Sequence, residues 1–396
     1  MERRTFLTAT SATALAATLP ALAQSAPTKK RRVAVLGHTG RGNFGHGMDT
    51  VWLKVPNTEI VAVSDGNQDA LEKQMVKLDV EQGFTGYRDL LDKTKPEFVT
   101  VCPRHPDQHA AMALAAIEAG VKGVYVEKPF CRSPKEADQL VAACEKHGAK
   151  IAIAHRNRYH PVLQVIDQMI AEGKLGRLLE IRGRGKGDRR GGGEDLWVLG
   201  THVMNLMNYF GGAPKTCSAV MLQDGKPVTK ADVYNGAEAL GPLAANEIHA
   251  RYEMSGGVIG FFDSIANDDA KNAGFGLQLI GSQGTVNIQC DLNPVAHFWP
   301  GNPFQPNLKP QPWVPITTAG VGKPETQPKL ITNIHNHVVP VQELIAACDT
   351  PDREPLCDVY QGRTTIEMVT GVFESHIHGK TVNFPLEQRE NPLDIW

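Results

Sequence analysis

The chain has 396 residues, and its 41 Lys and Arg side chains against 43 Asp and Glu give a formal net charge of −2. This length suffices for two domains that each bury a core. The near-neutral charge excludes a nucleic-acid-binding protein that works by bulk charge. No apolar run approaches the roughly 20 residues that a membrane-spanning helix needs. The seven cysteines are scattered without a CxxC pair, so we predict neither a disulfide framework nor a metal site.

The first 27 residues have the character of a targeting segment. Arg3-Arg4 precedes a weakly apolar run from 9 to 22, and Ala21-Leu22-Ala23 offers small residues where a signal peptidase cleaves. This order resembles a twin-arginine export signal. We therefore predict that residues 1–27 are a signal peptide and that the mature protein is periplasmic. Folding before export would also explain unpaired cysteines in an oxidising compartment.

The mature chain begins with the pattern of a nucleotide-binding domain. Val33–Leu36 predicts a buried parallel strand, and a glycine-rich turn and a helix are expected after it. Glycines let a backbone approach a pyrophosphate, and the N–H groups at a helix N-terminus bind it. The turn residues that we expect to contact the cofactor are Gly37, Thr39, Gly40, Arg41 and Gly45.

The following strands indicate which nicotinamide cofactor binds and how the sheet is arranged. The strand 59–63 leads to Asp65, whose carboxylate can accept both hydroxyls of a ribose and would repel a 2′-phosphate. The sequence therefore predicts NAD rather than NADP. Further strands at 98–101 and 123–126 alternate with helical stretches such as 110–119. This alternation predicts a doubly wound parallel sheet over residues 30–155.

Several motifs together resemble the glucose–fructose oxidoreductase/inositol dehydrogenase family (Gfo/Idh/MocA). They are Glu127-Lys128-Pro129 after a strand, the stretch 101–109 with Cys102 where Thr is usual, His155 to Pro161, and the Gly281–Gly284 turn. The resemblance implies an α/β fold: an N-terminal Rossmann domain, then an α+β domain over 156–396 with a large, mostly antiparallel sheet. It implies NAD at the seam of the two domains. It also implies a homo-oligomer, a dimer or tetramer, formed through the open face of the second sheet.

The resemblance also assigns residues to the cofactor and to catalysis. It places Pro103, His105, His109, Glu127 and Lys128 near the cofactor, with Lys128 beside the nicotinamide and the substrate hydroxyl. Independently of the family, a lysine between a carboxylate and a proline can hydrogen-bond an alkoxide that forms as hydride leaves.

The expected proton acceptor lacks its usual partner. His202 matches the family histidine, but Val198 stands where an Asp is expected and Asn205 where a second acid often follows. His202 then acts alone, or Asp195 or Glu194 reaches the site from another direction. We predict His202 as the base and Asp195 as a further catalytic candidate, because neutral imidazole suits proton transfer near neutral pH.

Other side chains are candidates for substrate contact. We expect Arg158, Tyr159 and Trp197 to contact substrate, although packing explains each of them as well. His335-Asn336-His337 suggests a metal site, but alternate residues on a helix point apart and no carboxylates complete the shell. A substrate contact by Asn336 or His337 stays open. The proline-rich stretch 291–329 is expected to be an irregular lid, binding arm or assembly contact.

The sequence therefore predicts an exported oxidoreductase that holds NAD tightly and acts on a sugar or polyol hydroxyl. Lys128 would polarise the oxygen and His202 would accept the proton. One alternative within the fold is an NAD-dependent glycoside hydrolase that works by transient oxidation at C3 and elimination. A second alternative is a non-catalytic module that binds a sugar or nucleotide, which the replacement at Val198 favours and the retained Lys128 and His202 oppose.

Overall fold

A computed structural model describes residues 29–271, 274–306 and 309–396. The predicted signal peptide, residues 1–27, lies outside the described residues. Within them, no helix combines the length and apolar character required to cross a bilayer.

The first sheet is wholly parallel and has six strands in the order β3-β2-β1-β4-β5-β6. Its strands are β1 Arg31–Leu36, β2 Thr58–Ser64, β3 Gly83–Phe84, β4 Phe98–Val101, β5 Gly123–Val126 and β6 Lys150–Ile153. The helices between them are α1 Gln68–Leu78, α2 Tyr87–Thr94, α3 His109–Glu118 and α4 Pro134–His147. β4 and β5 are buried along their whole length because helices cover both faces of the sheet. This is the doubly wound architecture that the sequence predicts.

One predicted helix is missing from this first domain. Between β1 and β2 the chain forms successive turns and only a short 3₁₀ helix, Val51–Lys54. Four glycines and Asn43 in these turns have positive φ, a conformation that no right-handed helix contains. The glycine-rich turn is therefore followed by a compact loop instead of the expected α-helix.

The second sheet has eleven strands and is antiparallel except where β7 runs parallel to β13. Along it the order is β18-β17-β16-β15-β14-β7-β13-β12-β8-β19, with β9 paired to β8. The strands are β7 Leu178–Arg184, β8 Pro214–Gln223, β9 Lys226–Pro227, β12 Glu247–Met254, β13 Ile259–Ile265, β14 Gly276–Gly281, β15 Gly284–Gln289, β16 Ala296–Pro300, β17 Val314–Thr317, β18 Gly320–Val321 and β19 Val382–Asn383. A separate pair comprises β10 Tyr234–Asn235 and β11 Pro242–Leu243. The alternating burial of β12 shows that one face of this sheet is covered and the other is open.

Helices in the second half of the chain pack on the second sheet, on the first domain or between the two. They are α5 Val162–Ala171, α6 Gly193–Val198, α7 Gly200–Gly211, α8 Pro328–His335, α9 Val338–Asp349 and α10 Val359–His378. The long helix α10 packs on β8, α7 and α4, and α9 packs on β5 and β6. Both C-terminal helices therefore contact the first domain, and they hold the two domains against each other.

Two stretches that we expect to be irregular or flexible are more ordered than that. The proline-rich stretch 291–329 contributes β16, β17 and β18, which extend one edge of the second sheet. The glycine arm before α6 is tightly packed, because a Cβ on Gly191 would lie 2.1 Å from the Ala266 nitrogen. Glycine here allows a close backbone approach rather than mobility.

Candidate active site

A small cavity of about 100 Å³ lies where the second domain meets the carboxyl end of the first sheet. This edge of a doubly wound sheet is where such folds bind ligands. The residues around the cavity are His46, Glu127, Lys128, Ala154, Arg156, Leu199, His202, Asp291 and His337. Two predicted catalytic residues, Lys128 and His202, therefore line the same cavity.

Glu127 and Lys128 follow β5 and form the floor of the cavity. Glu127 is fully buried, and its Oε2 lies 3.4 Å from His46 Nδ1. Burial alone raises the pKa of this carboxyl, but the hydrogen bond from His46 and the charge of Lys128 hold the pKa at about 2. The Lys128 ammonium donates to the Val198 carbonyl oxygen at 3.2 Å. Burial lowers the pKa of Lys128, while the charge of Glu127 opposes that shift.

His202 has an imidazole partner in place of the missing carboxylate. Its Nδ1 lies 3.3 Å from His155 Nδ1, and the two rings meet edge to face with centroids 4.9 Å apart. Burial lowers the pKa of His202 well below its usual value, and the neighbouring His155 and Lys128 lower the pKa further. Burial also lowers the pKa of His155, to about 3. Both rings are therefore neutral near pH 7, and one Nδ1 donates its hydrogen to the other.

The glycine-rich turn lies over the carboxyl ends of β1 and β4. A Cβ on Gly45 would lie 2.6 Å from the Cys102 carbonyl oxygen, so only glycine allows this approach. Gly37 is covered by the Phe44 ring, whereas a Cβ added to Gly40, which has a φ of 90°, would have no neighbouring atom within 4 Å. Arg41 forms an ion pair with Asp107. The turn thus combines tight packing at its ends with open space at Gly40.

Asp65 stands at the end of β2 beside this turn, as predicted for a ribose-binding acid. The side chain is fully buried. Its Oδ1 accepts from the backbone N–H groups of Thr39 and Asn67, each at 2.9 Å, and its Oδ2 accepts from the Thr39 hydroxyl at 2.6 Å. Thr39 and Asp65 are therefore brought together, with the acid held at the crevice by backbone donors.

The stretch after β4 supports the loop that carries Lys128. The His109 ring lies between two carbonyl oxygens, those of Pro103 at 2.6 Å and Pro129 at 2.7 Å. His105 precedes the short 3₁₀ helix Pro106–Gln108, and its backbone nitrogen faces Gly42. These residues connect the ends of β4 and β5, so their contacts fix the position of the Lys128 loop.

These features fit the NAD that the resemblance implies. The open space at Gly40, the buried acid at the end of β2 and the lysine after β5 lie along one edge of the parallel sheet. Asp65 and the glycine turn would hold the adenosine and pyrophosphate, and Lys128 would lie at the nicotinamide end. Across this crevice Arg104 of the first domain pairs with Glu238 of the second at 3.7 Å.

The structure does not bring Asp195 to this cavity. Asp195 is fully buried on α6, where its Oδ2 accepts from the Ser264 hydroxyl at 2.6 Å and the Lys186 backbone at 3.0 Å. Burial raises its pKa to about 6. The carboxyl thus fastens the glycine arm to β13, and Glu194 beside it is also absent from the cavity lining.

The three predicted substrate-contact residues also lie away from the cavity lining. The Arg158 guanidinium lies over the Tyr209 ring, 4.0 Å from its centroid. Tyr159 and Trp197 are buried in the hydrophobic core. Packing accounts for the position of all three side chains.

Sequence reasoning did not assign three residues that line the cavity with Lys128, namely His46, Arg156 and Asp291, and it left a substrate contact by His337 open. Arg156 donates to Asp291 Oδ1 at 2.9 Å and to the His335 carbonyl oxygen at 2.9 Å. His46 belongs to the glycine turn and Arg156 to the segment that joins the domains, so both had a local signal. Asp291 had none, because only the fold brings it to this place. Among the described residues, no group of three or more His, Cys, Asp or Glu side chains could hold a metal ion.

Comparison with known proteins identifies the first domain. Residues 31–155 match the sequence profile of GFO_IDH_MocA, the oxidoreductase family with an NAD-binding Rossmann fold. The chain is 26% identical to D-apiose dehydrogenase of Paraburkholderia graminis over 137 residues, which are 35% of this chain and 36% of that protein. It is 23% identical to levoglucosan dehydrogenase of Pseudarthrobacter phenanthrenivorans over 249 residues, 57% of this chain and 63% of the relative. The matched regions thus span less than two thirds of these relatives.

Solved structures extend the likeness to both domains. A levoglucosan dehydrogenase in complex with NADH and L-sorbose superposes with a TM-score of 0.71 at 17% identity, covering 90% of this chain and all of that one. An NAD-binding oxidoreductase from Klebsiella pneumoniae gives 0.67 at 17% identity, covering 89% and 99%. The two-domain fold is therefore that of these solved structures. Within it, residues 31–155 match the NAD-binding Rossmann fold of the Gfo/Idh/MocA oxidoreductase family.

Proposed function

We propose that this protein is an NAD-dependent dehydrogenase that acts on a hydroxyl group of a sugar or polyol. The observation that carries the proposal is the placement of Lys128 and His202 in one cavity at the NAD-binding edge of the sheet. The named activities of the D-apiose and levoglucosan dehydrogenases support a carbohydrate substrate.

The side chains divide the proton chemistry between them. NAD, when bound, supplies the hydride acceptor or donor. The Lys128 ammonium would donate a hydrogen bond to the substrate oxygen and stabilise the negative charge that develops there. His202 is neutral and would accept the hydroxyl proton at its Nε2. In this role its Nδ1 would carry the hydrogen and donate it to His155 Nδ1, 3.3 Å away. The carboxylate of Glu127 is ionised and compensates the positive charge of the Lys128 ammonium beside it.

The decisive experiment measures bound cofactor and turnover separately. The purified protein is analysed for NAD(H) by absorbance and mass spectrometry, and is screened with sugars and polyols for NADH fluorescence. We expect Lys128→Met to bind NADH normally and to lose about 100- to 10,000-fold in kcat/KM. Lys146 is exposed, and Lys146→Met is the matched control. Absence of any NAD(H) binding, or unchanged turnover in Lys128→Met, would contradict the proposal.

A second candidate function is glycoside cleavage through transient oxidation. The observation that favours it is a second imidazole, His337, on the same cavity as His202. Elimination and water addition need both a base and an acid, whereas a simple dehydrogenation needs one proton acceptor. Incubation with aryl glycosides distinguishes the two functions. Aglycone release without net NADH supports cleavage, and accumulation of a stable keto-sugar supports the dehydrogenase.

We also propose that the protein is exported to the periplasm by the twin-arginine route. The support is the Arg3-Arg4 pair with its apolar run and cleavage signal. All seven cysteines lie in the described residues and are free thiols, six of them buried, which suits a chain that folds under reducing conditions. Cell fractionation should find the wild type in the periplasm and an Arg3→Lys, Arg4→Lys variant in the cytoplasm. Equal export of both would contradict this route.

We propose that the open face of the second sheet pairs with another copy of the chain. The resemblance implies this pairing, and Val220 on β8, 49% exposed on that face, is the apolar side chain that tests it. Light scattering after gel filtration should show a dimer or tetramer for the wild type. Val220→Arg should lower the measured mass to that of a monomer, whereas Val76→Arg on α1, with an 83% exposed side chain, should leave it unchanged. A monomeric wild type would refute the pairing.

A further inference from the structure

His337 occupies an unusual position beside the proposed reaction site. It lies at the start of α9, lines the same cavity as Lys128 and His202, and is only 3% exposed. Its backbone has φ 63°, in the left-handed region that few residues other than glycine adopt. Strained backbone persists where the surrounding structure enforces it, and such positions cluster at functional sites.

One nitrogen of this ring is paired and the other is not. His337 Nδ1 lies 2.6 Å from the Tyr125 hydroxyl, which belongs to β5 and is fully buried. His337 Nε2 is buried and has no hydrogen-bond partner among the described residues. Leaving a buried polar atom without a hydrogen-bond partner costs free energy. A substrate oxygen in the cavity would remove that cost.

The Tyr125 contact determines which nitrogen carries the hydrogen. A buried phenol must donate its O–H, and among the described residues the hydrogen-bond partner of this hydroxyl is His337 Nδ1. The phenol therefore donates and Nδ1 accepts. Because a neutral imidazole has a single N–H, the hydrogen is then on Nε2. Burial lowers the pKa of His337 to about 4, so the ring is neutral at pH 7.

We propose that His337 is a substrate-binding residue, which donates a hydrogen bond from Nε2 to a second oxygen of the substrate besides the one that Lys128 holds. This inference rests on the proposed dehydrogenase function and gives a reason why its substrate carries more than one hydroxyl group. An acceptor oxygen at this position selects polyols and sugars over alcohols with a single hydroxyl. A substrate without that oxygen leaves the N–H unpaired in a closed site, which disfavours it.

The tautomer is tested without any substrate. Protein carrying 15N-labelled histidine is studied by NMR at pH 7.5, and the His337 signals are assigned from their absence in His337→Gln. We expect the Nε2–H tautomer in the wild type and a mixture of tautomers in Tyr125→Phe. An Nδ1–H tautomer in the wild type would overturn the proposal, whatever the enzyme oxidises.

The substrate contact is tested with the polyol that yields NADH in the screen and its monodeoxy analogues. His337→Leu should lower kcat/KM about tenfold or more for the parent polyol. The loss should vanish for the one analogue that lacks the contacted oxygen. His337→Gln, which retains an N–H donor, should recover part of the activity. His335→Leu is the matched control, because that ring also has a partnerless Nε2 but does not line the cavity.

The outcomes separate this inference from the function on which it rests. An equal loss for every analogue would show that His337 does not bind a substrate oxygen and would overturn the proposal. If His337→Leu still forms NADH and replacement of Lys128 abolishes that activity, the dehydrogenase function stands even though the His337 contact is refuted. If no polyol yields NADH, the dehydrogenase function fails, and the tautomer measured by NMR still decides the Tyr125 contact.

Discussion

At the scale of single residues, the pair of His155 and His202 distinguishes this site from an acid–histidine pair. A carboxylate beside an imidazole raises its pKa and stabilises the imidazolium, whereas a buried neutral imidazole gives a hydrogen bond without a charge. His202 therefore stays unprotonated at pH values where a carboxylate-paired histidine would be charged. Burial makes the largest contribution to this lowered pKa, and the partner His155 adds to it.

We predict that restoring a carboxylate moves the pH dependence of the enzyme. In His155→Asp the negative charge should raise the pKa of His202, so the base becomes protonated at higher pH. The acidic limb of kcat/KM against pH should shift to higher pH than in the wild type, where burial lowers the pKa of His202. His155→Asn, which adds no charge, is the control. An acidic limb that stays in place in His155→Asp would show that His202 is not the group that titrates.

At the scale of elements, the glycine turn replaces a helix with a loop whose glycines have different tasks. Gly45 lies against the ends of β4 and β5, and Gly40 borders open space. Gly45 is needed for packing within the folded protein, whereas Gly40 borders the space in which the turn would bind a ligand. Two substitutions of the same size can therefore separate packing from cofactor binding.

We predict that alanine at Gly45 mainly lowers the stability of the fold, whereas alanine at Gly40 mainly weakens NADH binding. Gly45→Ala places a Cβ 2.6 Å from the Cys102 carbonyl oxygen and should lower the free energy of unfolding by about 2–3 kcal/mol. Gly40→Ala meets no atom, so it should cost only about 1 kcal/mol for its positive φ. Denaturant unfolding and NADH titration measure both effects. We expect Gly40→Ala to weaken NADH binding more than it destabilises the fold, and equal stability of the two variants would contradict this assignment.

The helix α6 provides a second prediction at this scale, through Asp195. Its pKa is raised by burial from 3.8 to about 6, so the folded state binds the proton more tightly than the unfolded chain. Ionised Asp195 therefore costs stability at neutral pH, and the cost disappears as the pH falls below the unfolded value. Asp195→Asn should raise the free energy of unfolding at pH 7.5 by at most about 3 kcal/mol.

The measurement is urea unfolding of both proteins between pH 4 and 8, with turnover recorded alongside. Asp188→Asn is the control, because Arg190 holds the pKa of Asp188 at about 2 and its loss should destabilise at neutral pH. Stabilisation in Asp195→Asn with turnover retained would assign Asp195 to the architecture of the arm. A loss of turnover without a stability change would instead support the catalytic role that the sequence suggested.

At the scale of the whole molecule, the seam joins two sheets through side chains from distant parts of the chain. The parallel sheet, Asp65 and the Glu-Lys-Pro motif were predictable, because strand periodicity and short motifs are local signals. Asp291 and His337, which line the cavity, and His155, which contacts His202, come from separate segments that only the packed fold brings together. The missing carboxylate at Val198 was visible in the sequence, but its replacement by His155 required the packed structure.

We predict that cofactor binding stabilises the molecule and does so selectively. Ligand that binds only the folded state adds about 2.7 kcal/mol at 100 times its dissociation constant. NADH should therefore raise the melting temperature, and NADPH should raise it much less, because the 2′-phosphate would lie beside the acidic side chain of Asp65. Differential scanning fluorimetry measures both. Equal shifts with NADH and NADPH would contradict the assignment of Asp65 to the ribose.

The small volume of the cavity between the two domains has a consequence for the rate of the proposed reaction. Sites for drug-sized ligands measure about 300–1,000 Å³, whereas the cavity here measures about 100 Å³. The Arg104–Glu238 ion pair, which does not line this cavity, joins the two domains beside it. For the proposed dehydrogenase, we predict that substrate enters and product leaves when the two domains move apart, a motion that breaks an ion pair weakened by salt. Product release should then limit kcat, and added salt should raise kcat. A kcat that does not change with ionic strength would contradict this prediction.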